Sequence, residues 1–445
     1  MATTRDRCKE IQSMEEELKL GGGTEAIEMF RTLGRPTSRE RIERLLDPGS
    51  FEEVDLWRRT FKLGFDIDEL RMPGDGMIVG CGEVDGRPIY VWANDNTVLN
   101  GTVAQIGIVK VVTVMEKALR ERVPIVGIYD SQGWRLEDKV HAHDFFTIGR
   151  MMYFQTISSG VIPQISLVMG PCAGGLALSA ALADFTFMVR GTSYMHIVPY
   201  STDEDGKKLG APRIHWDKGG GCDLLVNDDA DCLDKCKKLL SFFPLHNKER
   251  PPVVDNPDPP DRAEEDLLDI VSLQDNKFFD MREVVRRTVD MGDYFELKTA
   301  YARNLTTGFA RFNGQSVGII ANNPVWLAGC EDHSTADKHA RFTRVCDVFN
   351  IPLVYFSDCP AFLPGIQEER GGVLRHGSMV IHATAEATVP KISVYVRRAY
   401  GGSQLVMPCN FGLADRYSAW PIVRRGIMGE RRMGAVVFSG DMKRA

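Results

Sequence analysis

Two kinds of segment in this 445-residue chain could do chemistry, and each occurs twice. The first follows an apolar run that ends in aspartate: Asp130-Ser131-Gln132-Gly133-Trp134-Arg135, and Asp358-Cys359-Pro360-Ala361-Phe362-Leu363-Pro364-Gly365. The second is a glycine pair at a strand-to-helix junction: Gly170-Pro171-Cys172-Ala173-Gly174-Gly175, and Ala399-Tyr400-Gly401-Gly402-Ser403. Glycine there lets a ligand approach the backbone, and the unpaired N–H groups and dipole of a helix start favour negative charge. Two such N–H groups from different loops, aimed at one oxygen, would make an oxyanion hole. One pair alone reads more simply as a tight turn. Matched pairs in two places favour the functional reading, although a common ancestral unit also preserves turns.

The usual catalytic constellations are missing. There is no Gly-x-Ser-x-Gly elbow, no Walker loop and no Gly-x-Gly-x-x-Gly after a strand. Gly21-Gly22-Gly23 has no strand before it and reads as a flexible connector, and Glu368-Glu369 reads as solvated surface. An enzyme that works by backbone stabilisation of an oxyanion needs no conspicuous side chain. The ten cysteines have no framework spacing and no Cys-x-x-Cys pair, so reduced thiols are expected. Cys232 and Cys236, one helical turn apart, read as helix packing. His141 and His143 lack a third ligand at metal-binding spacing, so no metal site is expected.

These segments belong to a repeat. Gly80 and Gly308 are 228 residues apart, as are Gly86 and Gly314, Asn94 and Asn322, Gly101 and Gly329, Lys110 and Lys338, Pro124 and Pro352, and Asp130 and Asp358. After a one-residue slip the offset is 227: Pro163 to Pro390, Gly174 to Gly401, Gly175 to Gly402. Most of these residues have positional meaning in turns, where a shared backbone shows itself. The divergent stretch 251–260, rich in Pro and Asp, cannot join a helix or central strand and reads as a linker. The expected domains are therefore 1–250 and 264–445.

Within a copy, short apolar runs alternate with helical patterns. Strands are predicted over 88–93, 124–129 and 164–169, with helices over 108–120 and 151–159 and a small-residue helix from the glycine pair to Ala183. The second copy repeats the pattern, with strands over 353–356 and 392–396. Such alternation predicts an α/β fold with largely parallel sheets. A net charge of −7 with scattered basic residues argues against nucleic-acid binding. No run approaches the ~18–20 apolar residues of a membrane span. The charged start, Met1 to Leu20, has no signal-peptide core, so a cytoplasmic enzyme is expected.

The chain resembles the carboxyltransferase subunits of biotin-dependent acyl-CoA carboxylases, particularly the propionyl-CoA carboxylase β type. The resemblance runs through Thr37-Ser38-Arg39-Glu40-Arg41-Ile42, the stretch from Val161 to Gly175, Ala183 to Val189, Phe362-Leu363-Pro364-Gly365, Gly371 to Gly377, and Ala385 to Pro390. It implies two tandem crotonase-like domains related by internal duplication. It implies that acyl-CoA binds the first domain, with its thioester oxygen held by the N–H groups of Trp134 and Gly175. Carboxybiotin would bind the second, its ureido oxygen held by those of Phe362 and Gly402. Gly174 and Gly401 complete the pairs, Gly133, Ala173, Ser403 and Leu405 are expected to line the sites, and Arg39 and Arg41 are candidates for CoA phosphate. Carboxybiotin would release CO2, the biotin enolate would take the substrate α-proton, and the acyl-CoA enolate would attack CO2, so no protein general base is needed.

No biotinyl-lysine motif is present, so the resemblance implies biotin on a separate carrier protein, a biotin carboxylase partner and a homo-oligomer, possible as a family-like hexamer of dimers. Gln132 and Trp134 depart from the family's Asp-Ser-Gly-Gly-Ala-Arg, and Trp134 adds bulk beside the expected thioester. Ser403-Gln404-Leu405 replaces the common Ala-Tyr-Asp, which hints at a more apolar acyl group. The chain stops at Ala445, where relatives continue by several tens of residues, so a shortened second domain is expected. Two alternatives remain open: a decarboxylase acting on a malonyl-type CoA ester, and a non-catalytic structural subunit.

Overall fold

The computed structural model describes residues 3–60, 72–136, 142–198, 209–259, 261–274, 277–408 and 413–438. The chain divides into two compact units, Met1–Ser241 with Leu245–Asn247, and Phe242–Pro244 with Lys248–Ala445.

In the first unit, helices α1 (Thr4–Lys19), α2 (Thr24–Thr32) and α3 (Ser38–Leu45) precede the short strand β1 (Glu52–Glu53). The repeated segment then begins: β2 (Met77–Val84), β3 (Arg87–Asn94), α4 (Gln105–Glu121), β4 (Ile125–Ser131), α5 (Ala142–Ser158), β5 (Gln164–Ala173), α6 (Gly175–Leu182), β6 (Phe185–Val189) and β7 (Tyr194–His196). Helix α7 (Pro212–Asp217), β8 (Leu224–Val226) and α8 (Asp229–Leu240) close the unit. The sheet order is β1-β2-β3-β4-β5-β6-β8, with β7 beside the end of β5.

The second unit carries α9 (Leu267–Ile270), α10 (Met281–Thr288) and β9 (Phe295–Leu297) before its own copy. That copy runs β10 (Leu305–Phe312), β11 (Gln315–Asn322), α11 (His333–Val348), β12 (Leu353–Cys359), α12 (Ile366–Arg370), α13 (Val373–Glu386), β13 (Lys391–Tyr400), α14 (Ser403–Val406), β14 (Arg416–Ala419) and β15 (Arg424–Gly426), and α15 (Glu430–Val437) follows. Its sheet order is β14-β13-β12-β11-β10-β9, with β15 beside β13.

The expected α/β alternation is present, and β3, β4, β5 and β6 pair in parallel, as do β11, β12 and β13. Each sheet also starts with an antiparallel hairpin, β2–β3 and β10–β11, that the predicted elements left out. Its turns are Asp85-Gly86 and Asn313-Gly314, all four residues at positive φ, the two-residue turn that matches strand twist. Strands β4 and β12 are buried along their whole length, as central parallel strands should be. Backbone detail repeats too. Leu99 and Leu327, Gly101 and Gly329, and Arg122 and Asn350 take the same left-handed conformation 228 residues apart. At Gly101 and at Gly329 a side chain would collide with the carbonyl of Asp130 or Asp358, respectively.

Two expectations about flexible segments need correction. Gly22 N–H donates to Thr97 Oγ1 at 3.0 Å, and a Cβ on Gly22 would overlap the Thr97 carbonyl, so the glycine run is a tight packing surface rather than a connector. In the Pro/Asp stretch, Val254 N–H donates to Gly314 O at 3.1 Å and Val253 bridges Gln315, so this segment folds onto the β10–β11 hairpin within the second unit. The chain passes from the first unit to the second over residues 242–248, and Phe242 stacks on Phe309 within the second unit with 5.8 Å between ring centroids.

Candidate active site

The strand-end loops and the glycine pairs come together at the C-terminal ends of neighbouring strands, where open α/β sheets bind ligands. In the first unit, Ser131 pairs with Cys172 after a register shift, and a Cβ on Gly133 would stand 3.5 Å from Ala173 Cβ. In the second, Cys359 pairs with Ala399, and a Cβ on Gly402 would stand 3.2 Å from the Phe362 ring.

Both loops are held in the same way. Val103 N–H donates to Gly133 O (2.9 Å) and Arg135 N–H to Val103 O (2.7 Å), a parallel bridge centred on Trp134. Glu331 N–H donates to Ala361 O (3.2 Å) and Leu363 N–H to Glu331 O (2.7 Å), a parallel bridge centred on Phe362. In such a bridge the flanking residues supply the bonds, so the N–H groups of Trp134 and Phe362 point to the other side. The Trp134 indole is half-buried against the first-unit core, which is where its bulk goes.

The glycine pairs correspond as well. Gly174 and Gly401 have positive φ, 64° and 56°, and donate their N–H groups to His196 O (3.0 Å) and Gly426 O (2.9 Å). Gly175 and Gly402 follow at the starts of α6 and α14, where the first N–H groups of a helix have no intrahelical acceptor. A Cβ at 175 would overlap Ile148 Cδ1 of α5, so a larger residue there needs Ile148 to shift. A cavity of about 1070 Å3 opens beside the second pair, with Phe362, Arg398, Tyr400, Gly401, Gly402 and Arg424 in its walls.

Beneath each loop lies a buried carboxylate. Asp130 accepts from Arg35 (2.6 Å), Arg41 (2.7 Å) and Asn96 (3.1 Å), and Arg41 also reaches Asp229 at 2.7 Å. Burial opposes the Arg41 charge, but Asp130 and Asp229 more than offset it and hold its pKa above the ordinary value. Asp358 accepts from Arg397 (2.8 Å) and Arg398 (2.7 Å). Of these arginines the sequence singles out Arg41 alone, in another role; Arg35, Arg397 and Arg398 carry no signal of their own.

The other residues expected at the sites have these surroundings. Arg41 is fully buried in the Asp130–Asp229 pair and is not available to a CoA phosphate. Arg39 donates to Glu53 (2.8 Å) and lines a separate cavity of about 960 Å3 with Phe51, Trp57 and Arg58. Ser403 is buried: its hydroxyl accepts from Tyr400 N–H (3.1 Å) and lies 2.9 Å from the Cys359 carbonyl, so it ties β12 to β13 rather than facing a ligand. Leu405 is 48% exposed on α14 and is not in the cavity wall. Glu368 is not solvated surface, since it accepts from both N–H and Nδ1 of His333 (3.2 and 2.8 Å).

Cys232 and Cys236 are buried on α8; burial drives the Cys232 thiol well above its ordinary pKa and pushes Cys236 up to about 12. His141 lies outside the described residues, as does the side chain of His143. Among the described residues no cluster could hold a metal ion, and no helix is long and apolar enough to cross a membrane.

Two similar α/β units, each with a strand-end loop and a glycine pair above a buried aspartate, share the fold of the crotonase-like carboxyltransferases. Residues 31–445 match the Carboxyl transferase domain, and the chain belongs to that family. It is 41% identical to the methylmalonyl-CoA decarboxylase subunit alpha of Veillonella parvula, over 99% of this chain and 88% of that protein. It is 38% identical to the propionyl-CoA carboxylase beta chain of Roseobacter denitrificans, over 98% of this chain and 87% of that one. Among solved structures it matches the transcarboxylase 12S hexamer with methylmalonyl-coenzyme A bound, with a TM-score of 0.94, 39% identity, and coverage of 99% and 87%. The chain is thus a carboxyltransferase of the biotin-dependent acyl-CoA carboxylase group.

Proposed function

We propose that the chain moves a carboxyl group between carboxybiotin and the α-carbon of a short acyl-CoA. The first unit takes the thioester, its oxygen facing the N–H groups of Trp134 and Gly175. The second takes the ureido ring, its oxygen facing those of Phe362 and Gly402. The observation that carries this reading is the pair of equivalent bridges, Val103–Trp134 and Glu331–Phe362, each beside a positive-φ glycine. Fixed N–H donors stabilise the charge that develops on an enolate oxygen, and they need no reorganisation during the reaction. The N–CO2 bond of the co-substrate breaks and leaves its electron pair in the ureido group. The α-proton of the thioester passes to the ureido nitrogen, and the thioester enolate bonds to CO2. Buried thiols at Cys172 and Cys359, whose pKa values burial raises, take no part as nucleophiles.

Biotin arrives on a separate carrier protein served by a biotin carboxylase, and the chain works as a homo-oligomer in the cytoplasm. The relative from Veillonella parvula supports a second reading, removal of CO2 from a malonyl-type ester onto biotin through the same two loops. A panel of acyl-CoA thioesters assayed with biotin and carboxybiotin, in both directions, tests both. Transfer with short acyl groups is the expected result, and no transfer with any thioester in either direction would contradict the proposal.

A further inference from the structure

The two copies differ in one place that the reaction above does not use. Behind the Phe362 loop, between α11, α13 and β12, the second unit buries polar side chains at three α11-side positions that are apolar in the first. Glu331 stands at the position of Val103, His339 at that of Val111, and Thr343 at that of Met115, each 228 residues on. On the neighbouring strands Trp92 pairs with Gly127, whereas Ile320 pairs with Tyr355. The first unit's tyrosine on this strand, Tyr129, sits at the position of Ser357 and is satisfied by Ser179 at 2.8 Å, whereas Tyr355 stands two residues earlier on β12.

Glu331 and His339 are fully buried and in contact, with Oε1 to Nδ1 at 3.2 Å. The His339 and Tyr355 rings are 6.0 Å apart. Six polar atoms here complete no hydrogen bond within the protein: Glu331 Oε2, His339 Nε2, Thr343 Oγ1, Tyr355 Oη, Ser357 Oγ and Thr384 Oγ1. The Tyr355 hydroxyl lies close enough to Thr343 and Thr384 to feel both. A buried polar atom without a partner is costly, so Glu331 Oε2, His339 Nε2 and Ser357 Oγ, together with the three mutually close hydroxyls, call for a further partner. Bound water is the usual partner for such a set.

We infer that these side chains enclose a small cluster of bound water which, with the Glu331–His339 pair, fixes the backbone on both sides of Phe362. Glu331 is the link, because its own N–H and carbonyl make the two bonds that flank Phe362. A side chain anchored by His339 and water holds that backbone in one orientation, and the Phe362 N–H with it. Glu331 and His339 are positioning residues, and the inference rests on the proposed role of Phe362.

The test is Glu331→Val with His339→Val, which installs what the first unit carries at the same positions. Carboxyl transfer should fall about tenfold in kcat, the scale of a slightly misplaced donor, with KM for acyl-CoA and the melting temperature preserved. Glu331→Gln, which keeps the bond to His339, should restore most of the rate. Should the double variant not accumulate, Tyr355→Phe gives the same readout with a smaller loss. A crystal structure of the unaltered protein should show ordered water between Tyr355 Oη, Thr343 and Thr384. Unchanged kcat in the variants, a loss that follows only the melting temperature, or a dry chamber would overturn the inference. Failure of the Phe362 role itself would appear separately, as full activity in Gly402→Pro.

Discussion

The aspartates that end β4 and β12 occupy the same place in their sheets, yet their arginines come from different parts of the chain. Asp130 is met by Arg35 and Arg41 from around α3, and Arg41 is shared with Asp229 of α8. Asp358 is met by Arg397 and Arg398 from the adjacent strand β13. The position of Arg397 corresponds to Gly170, where a side chain would overlap the Asp130 carboxylate and stand 2.8 Å from Arg35. One copy therefore brings in its cations from outside the repeat and leaves the strand bare, while the other builds them into the strand. What the duplication preserves is the buried carboxylate and the loop above it, and the means of neutralising it is free to change.

The comparison breaks most visibly at Arg41. Arg41→Met leaves two carboxylates buried with one cation fewer, and removing one partner of a buried pair costs about 3–5 kcal/mol. Urea unfolding should show that loss with acyl-CoA affinity unchanged at temperatures where the protein remains folded; a variant as stable as the parent but defective in CoA binding would restore the phosphate-contact reading. A smaller effect is expected at the glycine pair. Gly175→Ala should destabilise by about 1–3 kcal/mol through overpacking against Ile148, and Ile148→Val, which removes the clashing methyl, should recover much of it.

Lys110, the repeat equivalent of Lys338, is buried and adds a dependence on pH. Lys110 donates to the carbonyls of Gly74 (3.0 Å) and Met77 (2.6 Å), and burial lowers its pKa to about 8, with Glu53 and Asp55 opposing the shift. Between about pH 8 and the ordinary lysine value the unfolded chain holds the extra proton. Relative to Lys110→Met, the parent should therefore gain stability as pH rises through that window, by up to about 1.4 kcal/mol per pH unit, and lose it as pH falls. Chemical unfolding at a series of pH values checks this, and parallel curves would contradict it.

Much of this was legible in the sequence because the duplication writes its turns twice. The glycine pairs, the strand-ending aspartates and the two loops lie at matched offsets and come together in the fold as the offsets imply. The arginines were not legible in the same way. Arg41 meets partners 89 and 188 residues away, and no spacing or periodicity reports such a pair. The glycine run at 21–23 was misread because composition cannot tell a loose segment from one pressed against Thr97. Ser403 and Glu368 were misplaced for a related reason: a polar side chain beside a loop can face the ligand or the fold, and only packing decides.

The proposed mechanism assigns the two glycine pairs to different substrates. The most direct measurement titrates acyl-CoA and carboxybiotin into Gly175→Pro and Gly402→Pro, alongside the parent. The expected result is crossed: Gly175→Pro loses acyl-CoA binding and keeps carboxybiotin, Gly402→Pro does the reverse, and neither transfers carboxyl groups. Loss of the same ligand in both variants, or full turnover in either, would contradict it.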